Sequence, residues 1–143
     1  MPANTGNIMR LCANTNSTLH LVGPLAFDLT EKKLKRAGLD YKDWAQIKTY
    51  SNWQDFNKNQ SLIGCSSKAT KIYSQHQFQL NDWLVFGSET HGIHSAARET
   101  GNWKSWLTIP MDPRSRSINL ANSVAIILYE ALRQTQFKQL QGQ

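Results

Sequence analysis

Short apolar, β-rich segments alternate with short helical segments along the whole chain, and this alternation restricts the fold more than any other feature. Residues 18–22 alternate in polarity and stop at Gly23-Pro24, which predicts a strand. Thr30 is placed to cap a helix over residues 31–37, and Gly38 is placed to end it. Further strands are expected at 45–50, 61–66, 82–86 and 106–109, the last halted by Pro110; Asn52 opens a helical turn or two over 53–58. The strongest helix signal is C-terminal, where Leu120, Val124, Ile127, Leu128, Ala131 and Leu132 fall at helical spacing. Asn119 or Ser117 can cap that helix, and Arg133 and Lys138 suit its end. Strands separated by helices imply a parallel α/β sheet, and 143 residues suit one such domain. In these sheets ligands bind at the carboxyl ends of the strands, so chemistry is sought there.

Composition narrows the class. Hydrophobic residues make up 40% and charged residues 18%, the balance of a globular chain. No apolar run reaches the ~18 residues of a membrane helix. Residues 1–7 lack the basic start and apolar stretch of a signal peptide, so the cytoplasm is the expected location. Sixteen Lys+Arg against ten Asp+Glu give a net charge of +6. That excess fits a polyanionic partner, nucleic acid first, or merely a basic, soluble surface. Cys12 and Cys65 make no disulfide framework, and no CxxC pair suggests structural zinc. His91 and His94 have Gly92 between them and no evident third ligand nearby, so they read as loop histidines and no metal is expected.

Three segments are rich in small polar residues and glycine, and all three read as loops. They are 4–10 (NTGNIMR), leading into a helix; 86–92 (FGSETHG), directly after a strand; and 109–119 (IPMDPRSRSIN), between the last strand and the long helix. None is GxGxxG, a P-loop, GxSxG or HExxH, which removes dinucleotide, NTPase, esterase and zinc-protease readings. Each has a plain structural explanation: tight turns for Gly87 and Gly92, caps for Ser115 and Ser117, surface charge for Arg10, Arg114 and Arg116. Three such loops in one small domain favour a binding site.

Together, in order and spacing, these segments resemble the three motifs of the SpoU branch of the SPOUT methyltransferases, the third running on through Leu120-Ala121-Asn122-Ser123-Val124-Ala125. Residues 33–41 (KLKRAGLDY) and 129–134 (YEALRQ) resemble the short, single-domain members that act on the wobble ribose of tRNA. The resemblance covers nearly the whole chain. It implies an α/β fold with a mostly parallel sheet, helices on both faces and a deep C-terminal trefoil knot, which elementary topology rules would not suggest. It also implies a homodimer joined through the C-terminal helix. Family members normally begin with a strand before the first motif; here that motif starts almost at Met1, so about one strand's worth of residues is expected to be absent.

The implied reaction is transfer of a methyl group from S-adenosylmethionine to the ribose 2′-oxygen at position 34 of tRNA. Another tRNA or rRNA site, or a non-catalytic RNA- or cofactor-binding dimer, are the alternatives. By position, Cys65, Ser66, Gly87, Ser88, Ile109, Met111, Ser117 and Ile118 are implied in cofactor binding. Arg10, Asn4, Glu89, Ser117 and Asn119 match polar catalytic positions. The arginine matching Arg10 is assigned to activate the hydroxyl. Arginine is a poor base, so orienting a phosphate, stabilising an alkoxide and acting deprotonated all stay open. Lys32, Lys33, Lys35, Arg36, Arg114 and Arg116 would form a cationic track for the anticodon stem-loop; Tyr41, Trp44 and Trp53 are available for stacking, with core packing the favoured role of the two tryptophans. Ser88 and His94 replace the family's usual prolines, and His91 and Thr108 its usual arginines.

Overall fold

The computed structural model describes residues 3–25, 29–40 and 46–141. They belong to two units, Met1–Lys58 and Asn59–Gln143. Tyr41, Trp44 and the expected strand start at Ala45 lie outside the described residues.

The first unit opens with helix α1 (Ala3–Asn14). The segment expected as a loop at 4–10 is therefore helical. Asn4, Gly6 and Asn7 are weak helix formers, but Met9 and Cys12 are buried on one side of α1, and burial of an amphipathic face outweighs propensity. Strand β1 (Leu19–Val22) pairs in parallel with β2 (Ile47–Tyr50), from Leu19 opposite Ile47 to Val22 opposite Tyr50. Between them, α2 (Glu31–Arg36) starts where Thr30 accepts a hydrogen bond from the Lys33 amide at 3.2 Å. It ends in a Schellman motif. The Leu39 amide donates to Leu34 O at 3.1 Å and the Gly38 amide to Lys35 O at 3.0 Å. Gly38 holds φ +79°, a left-handed conformation that glycine adopts freely. Leu34 and Leu39 then pack with Met9 into the core of this unit, flanked by Leu19, Leu21, Leu29 and Ile47. Asn52 caps the short α3 (Trp53–Phe56) through the Asp55 amide at 2.9 Å.

The second unit contains β3 (Ser61–Cys65), β4 (Lys71–Ile72), β5 (Trp83–Phe86), α4 (Ser95–Thr100), β6 (Asn102–Thr108) and α5 (Leu120–Gln134). Its sheet runs β4-β6-β3-β5 with every strand pair parallel. Leu62 and Ile63 are both fully buried. Successive strand residues point to opposite faces, so β3 is covered on both sides. On one face Ile63 and Leu107 pack with Phe78 and with Ile127 of α5. On the other, Gly64 lies opposite Trp106 and Leu62 opposite Trp103.

The tryptophan pair depends on a bulge. Trp103 and Trp106 are three residues apart and would face opposite ways in a regular strand. The register against β3 shifts between Leu62 and Ile63, leaving Lys104 as the extra residue and returning both indoles to one side. Their ring centroids sit 4.3 Å apart, Trp103 Nε1 donates to Ala97 O of α4 at 3.0 Å, and the Arg98 guanidinium lies 4.7 Å above the Trp106 ring. The bulge also explains why β6 begins at Asn102 and not at the expected 106: the period-2 pattern breaks inside it. Strand β4 and helix α4 were not expected either. The first has two residues, and the second is capped by a histidine, His94, whose Nδ1 accepts from the Ala96 amide at 3.2 Å.

Gln134 ties α5 to the segment after β4. It accepts from the Phe78 amide and donates to His76 O, both at 2.8 Å. His76 is buried edge-on against Phe78, with no hydrogen-bond partner for either ring nitrogen among the described residues. Burial, helped by the positive charge of Lys71, pushes its pKa below the ordinary value.

Two outcomes are expected. Gly64→Val places methyl groups into the Trp106 ring, and overpacking of this kind costs about 1–3 kcal/mol. A lowered denaturation midpoint checks it; an unchanged midpoint would mean that Trp106 moves aside freely. For His76, the unfolded chain takes up a proton that the fold resists. Stability is then full above the ordinary histidine value of 6.5 and falls as pH drops below it. In His76→Phe, the loss between pH 7.5 and 5.5 should be smaller than in the parent chain, as read from denaturation midpoints.

Candidate active site

Strands β6, β3 and β5 are neighbours and parallel, so their carboxyl ends lie along one edge of the sheet. Cys65, at the end of β3, is in register with Phe86 of β5 and with Leu107 of β6. The Ser66 amide donates to Leu107 O at 2.9 Å, joining the first two chain exits. The cofactor segments implied by the sequence, at Cys65-Ser66, Gly87-Ser88 and Ile109-Met111, all leave from this edge. An open parallel sheet binds its ligands there.

The segment after β5 is a tight loop. Ser88 and Gly92 exchange backbone hydrogen bonds at 3.2 and 3.0 Å, and Ser88 Oγ accepts from the His91 amide at 3.1 Å. Gly92 holds φ +67°. A Cβ on Gly87 would overlap Gly92 C and Ile93 N, so glycine is required there by the loop's own backbone as it folds back. His91 Nδ1 pairs with Thr90 Oγ1 at 2.8 Å. With His94 used as the α4 cap, each of these histidines has a local structural partner. Glu89 is exposed beside them.

The segment after β6 begins with Ile109, half-buried against the core of the unit. Met111 and Ile118 are also half-buried, and Ser117 is exposed. Asn119 caps α5, its Oδ1 accepting from the Asn122 amide at 3.1 Å. Arg114 is held by its own loop: Nε and Nη2 fork onto the Asp112 carboxylate at 3.0 and 3.1 Å. The Arg114 hydrogen bonds hold the Asp112 carboxyl below its ordinary pKa, though both groups are at the surface. Arg116 is exposed. Burial pushes the Cys65 thiol up to about 12 and the Cys12 thiol up to about 11. Both therefore stay protonated near neutral pH and offer no thiolate nucleophile.

The first unit carries Asn4, half-buried on α1, and Arg10, exposed on the same helix. Arg10 Nη2 donates to the Gly38 carbonyl at 2.7 Å. Lys32, Lys33, Lys35 and Arg36 are all exposed on α2. Lys35 also meets Glu31 at 3.2 Å in an exposed ion pair of small energy. Sequence reasoning missed two partners, one in each unit. Gly38 is 28 residues from Arg10 and bonds through its backbone, which no side-chain pattern announces. The Asp112–Arg114 fork was legible in principle, since opposite charges two residues apart in a loop are within reach of each other.

Comparison with known proteins gives the affiliation. The SpoU rRNA Methylase family model matches residues 1–129. The tRNA (cytidine(34)-2′-O)-methyltransferase of Saccharophagus degradans is 46% identical over 140 residues, which cover 96% of this chain and 91% of that protein. A solved structure described as giving insight into the 2-OH methylation of C/U34 on tRNA superposes with a TM-score of 0.81 at 33% identity, covering 95% of this chain and 90% of that one. The SpoU methyltransferase AviRb from Streptomyces viridochromogenes, solved with the cofactor AdoMet, shares the fold at a TM-score of 0.78 and 24% identity, over 95% of this chain and 54% of its own. The chain, whose three motif segments all fall within the matched residues, belongs to the SpoU rRNA Methylase family.

Proposed function

We propose that this chain transfers a methyl group from S-adenosylmethionine to the ribose 2′-oxygen of the wobble nucleotide, position 34, of tRNA. The observation that carries this reading is the 46% identity, along almost the full length of both chains, to a tRNA (cytidine(34)-2′-O)-methyltransferase. The solved relative concerned with C/U34 methylation supports the same substrate.

The residues at the carboxyl edge fit the cofactor. Three adjacent strand ends offer backbone donors and acceptors, the Gly87–Gly92 loop is drawn tight beside them, and Ile109, Met111 and Ile118 supply apolar surface. Such a site suits a nucleoside ligand, whose base lies against apolar surface and whose ribose and base edges take a few fixed polar groups. Cys65, Ser66, Gly87, Ser88, Ser117 and Ile118 complete the proposed set. When bound, S-adenosylmethionine supplies an electrophilic methyl group on a sulfonium. The protein must align the 2′-oxygen in line with that methyl and ease the loss of its proton. A guanidinium only donates hydrogen bonds. Arg10 is therefore assigned to orient a phosphate or to stabilise the forming alkoxide. Asn4 holds Arg10 or the substrate, and Glu89, Ser117 and Asn119 provide further polar contacts. No metal enters the proposal.

The proposed RNA contacts are Lys32, Lys33, Lys35 and Arg36 in the first unit and Arg114 and Arg116 in the second. Arg114 reaches a phosphate by exchanging it for Asp112. Binding through these groups releases counterions and weakens steeply with salt. An anticodon loop suits them, because its unpaired bases can splay and stack. The proposal includes a homodimer through α5, where Tyr129 is exposed, the C-terminal knot of the family, and action in the cytoplasm.

The test is methyl transfer to unmodified bulk tRNA, mapped by nuclease digestion and mass spectrometry. A 2′-O-methyl at nucleotide 34 is expected. A methyl elsewhere would replace the substrate, and shifts of RNA with no cofactor-dependent mass gain would point to a binder. Arg10→Ala should lower turnover by at least about a hundredfold while leaving cofactor affinity unchanged by calorimetry. Turnover surviving that change would remove Arg10 from the chemistry.

A further inference from the structure

We infer that Gly38 is a positioning residue for methyl transfer: its carbonyl, set by the left-handed cap of α2, holds the Arg10 guanidinium in its working place. This inference rests on the methyltransferase reading above.

The contact is short, 2.7 Å from Arg10 Nη2 to Gly38 O, and its geometry is fixed from both sides. On the α1 side, Met9 precedes Arg10 and is fully buried against Leu34 and Leu39. On the α2 side, Leu34 and Leu39 are the two residues that the Schellman motif brings together, linked by the 3.1 Å hydrogen bond from the Leu39 amide to Leu34 O. Gly38 sits between them at φ +79°. The same apolar contact that closes the helix thus also seats the base of Arg10. The acceptor lies at the C-terminal end of α2, where the helix dipole favours a cation.

A guanidinium donor is spent on Gly38, and the arginine is oriented by it. The helix that provides this anchor is also the one that exposes Lys32, Lys33, Lys35 and Arg36. RNA phosphates gripped by those side chains are then placed against the element that aims Arg10, within one unit of the chain. The backbone shows why glycine serves at this position. A Cβ there meets nothing within 4 Å, so no packing forbids alanine, and only the backbone conformation does.

The experiment compares the full-length parent chain with Gly38→Ala and Gly38→Asn, in steady-state methyl transfer to bulk tRNA. Alanine resists the left-handed conformation and asparagine accepts it. Gly38→Ala should lower kcat by about tenfold, since small displacements of a positioned group have effects of this size. KM for S-adenosylmethionine should not change. Gly38→Asn should restore most of kcat. A general loss of packing would not give that split, and the rescue ties the effect to the left-handed conformation of residue 38. A parental kcat in Gly38→Ala, or an asparagine variant as slow as alanine, would overturn the inference. A further readout needs no Gly38 variant: in the free parent protein, the Arg10 Nη resonances, identified by their loss in Arg10→Ala, should show hindered rotation. Free rotation would overturn the inference. Failure of the parent chain to methylate tRNA would instead overturn the reading on which it rests.

Discussion

The double-sided burial of β3 governs the second unit. A strand with Leu62 and Ile63 both out of water must have partners at both edges and layers on both faces. Strands β5 and β6 supply the edges, and α5 lies against one face through Ile127. Parallel pairing follows from the crossovers, and with it the alignment of three chain exits at one edge. The proposed cofactor segments lie together for that reason.

The first unit works by a different economy of parts. Its apolar centre is small, and the turn that closes α2 is built from the same leucines that make up that centre. A cap that would elsewhere only finish a helix here also fixes an arginine of the preceding helix. Local structure and proposed chemistry share the same atoms.

What could be read from the sequence followed from local chemistry. Thr30, Asn52 and Asn119 cap helices because their side chains reach amides three positions on, and such reach depends on nothing distant. The strand ends after Phe86 and before Pro110 were legible from the breakers that follow them. The start of helix α1 was not, because Asn4, Gly6 and Asn7 favour loops and only the burial of Met9 and Cys12 reverses them. The start of β6 was hidden by its bulge. Of the candidate site, the residue types were readable, but the partners of Arg10 and Arg114 were not: the first is a backbone atom, and an arginine in a polar loop reads equally well as solvated surface.

The bulge at Lys104 has a consequence for how β6 tolerates change in length. Because one unpaired residue keeps Trp103 and Trp106 on the same face, the strand carries a spare position. Deleting Lys104 would leave the two tryptophans two residues apart, a spacing at which a regular strand turns both the same way, so each would keep its partner on β3. The strand can thus lose one residue here without a side chain changing faces, and what it loses is the kink.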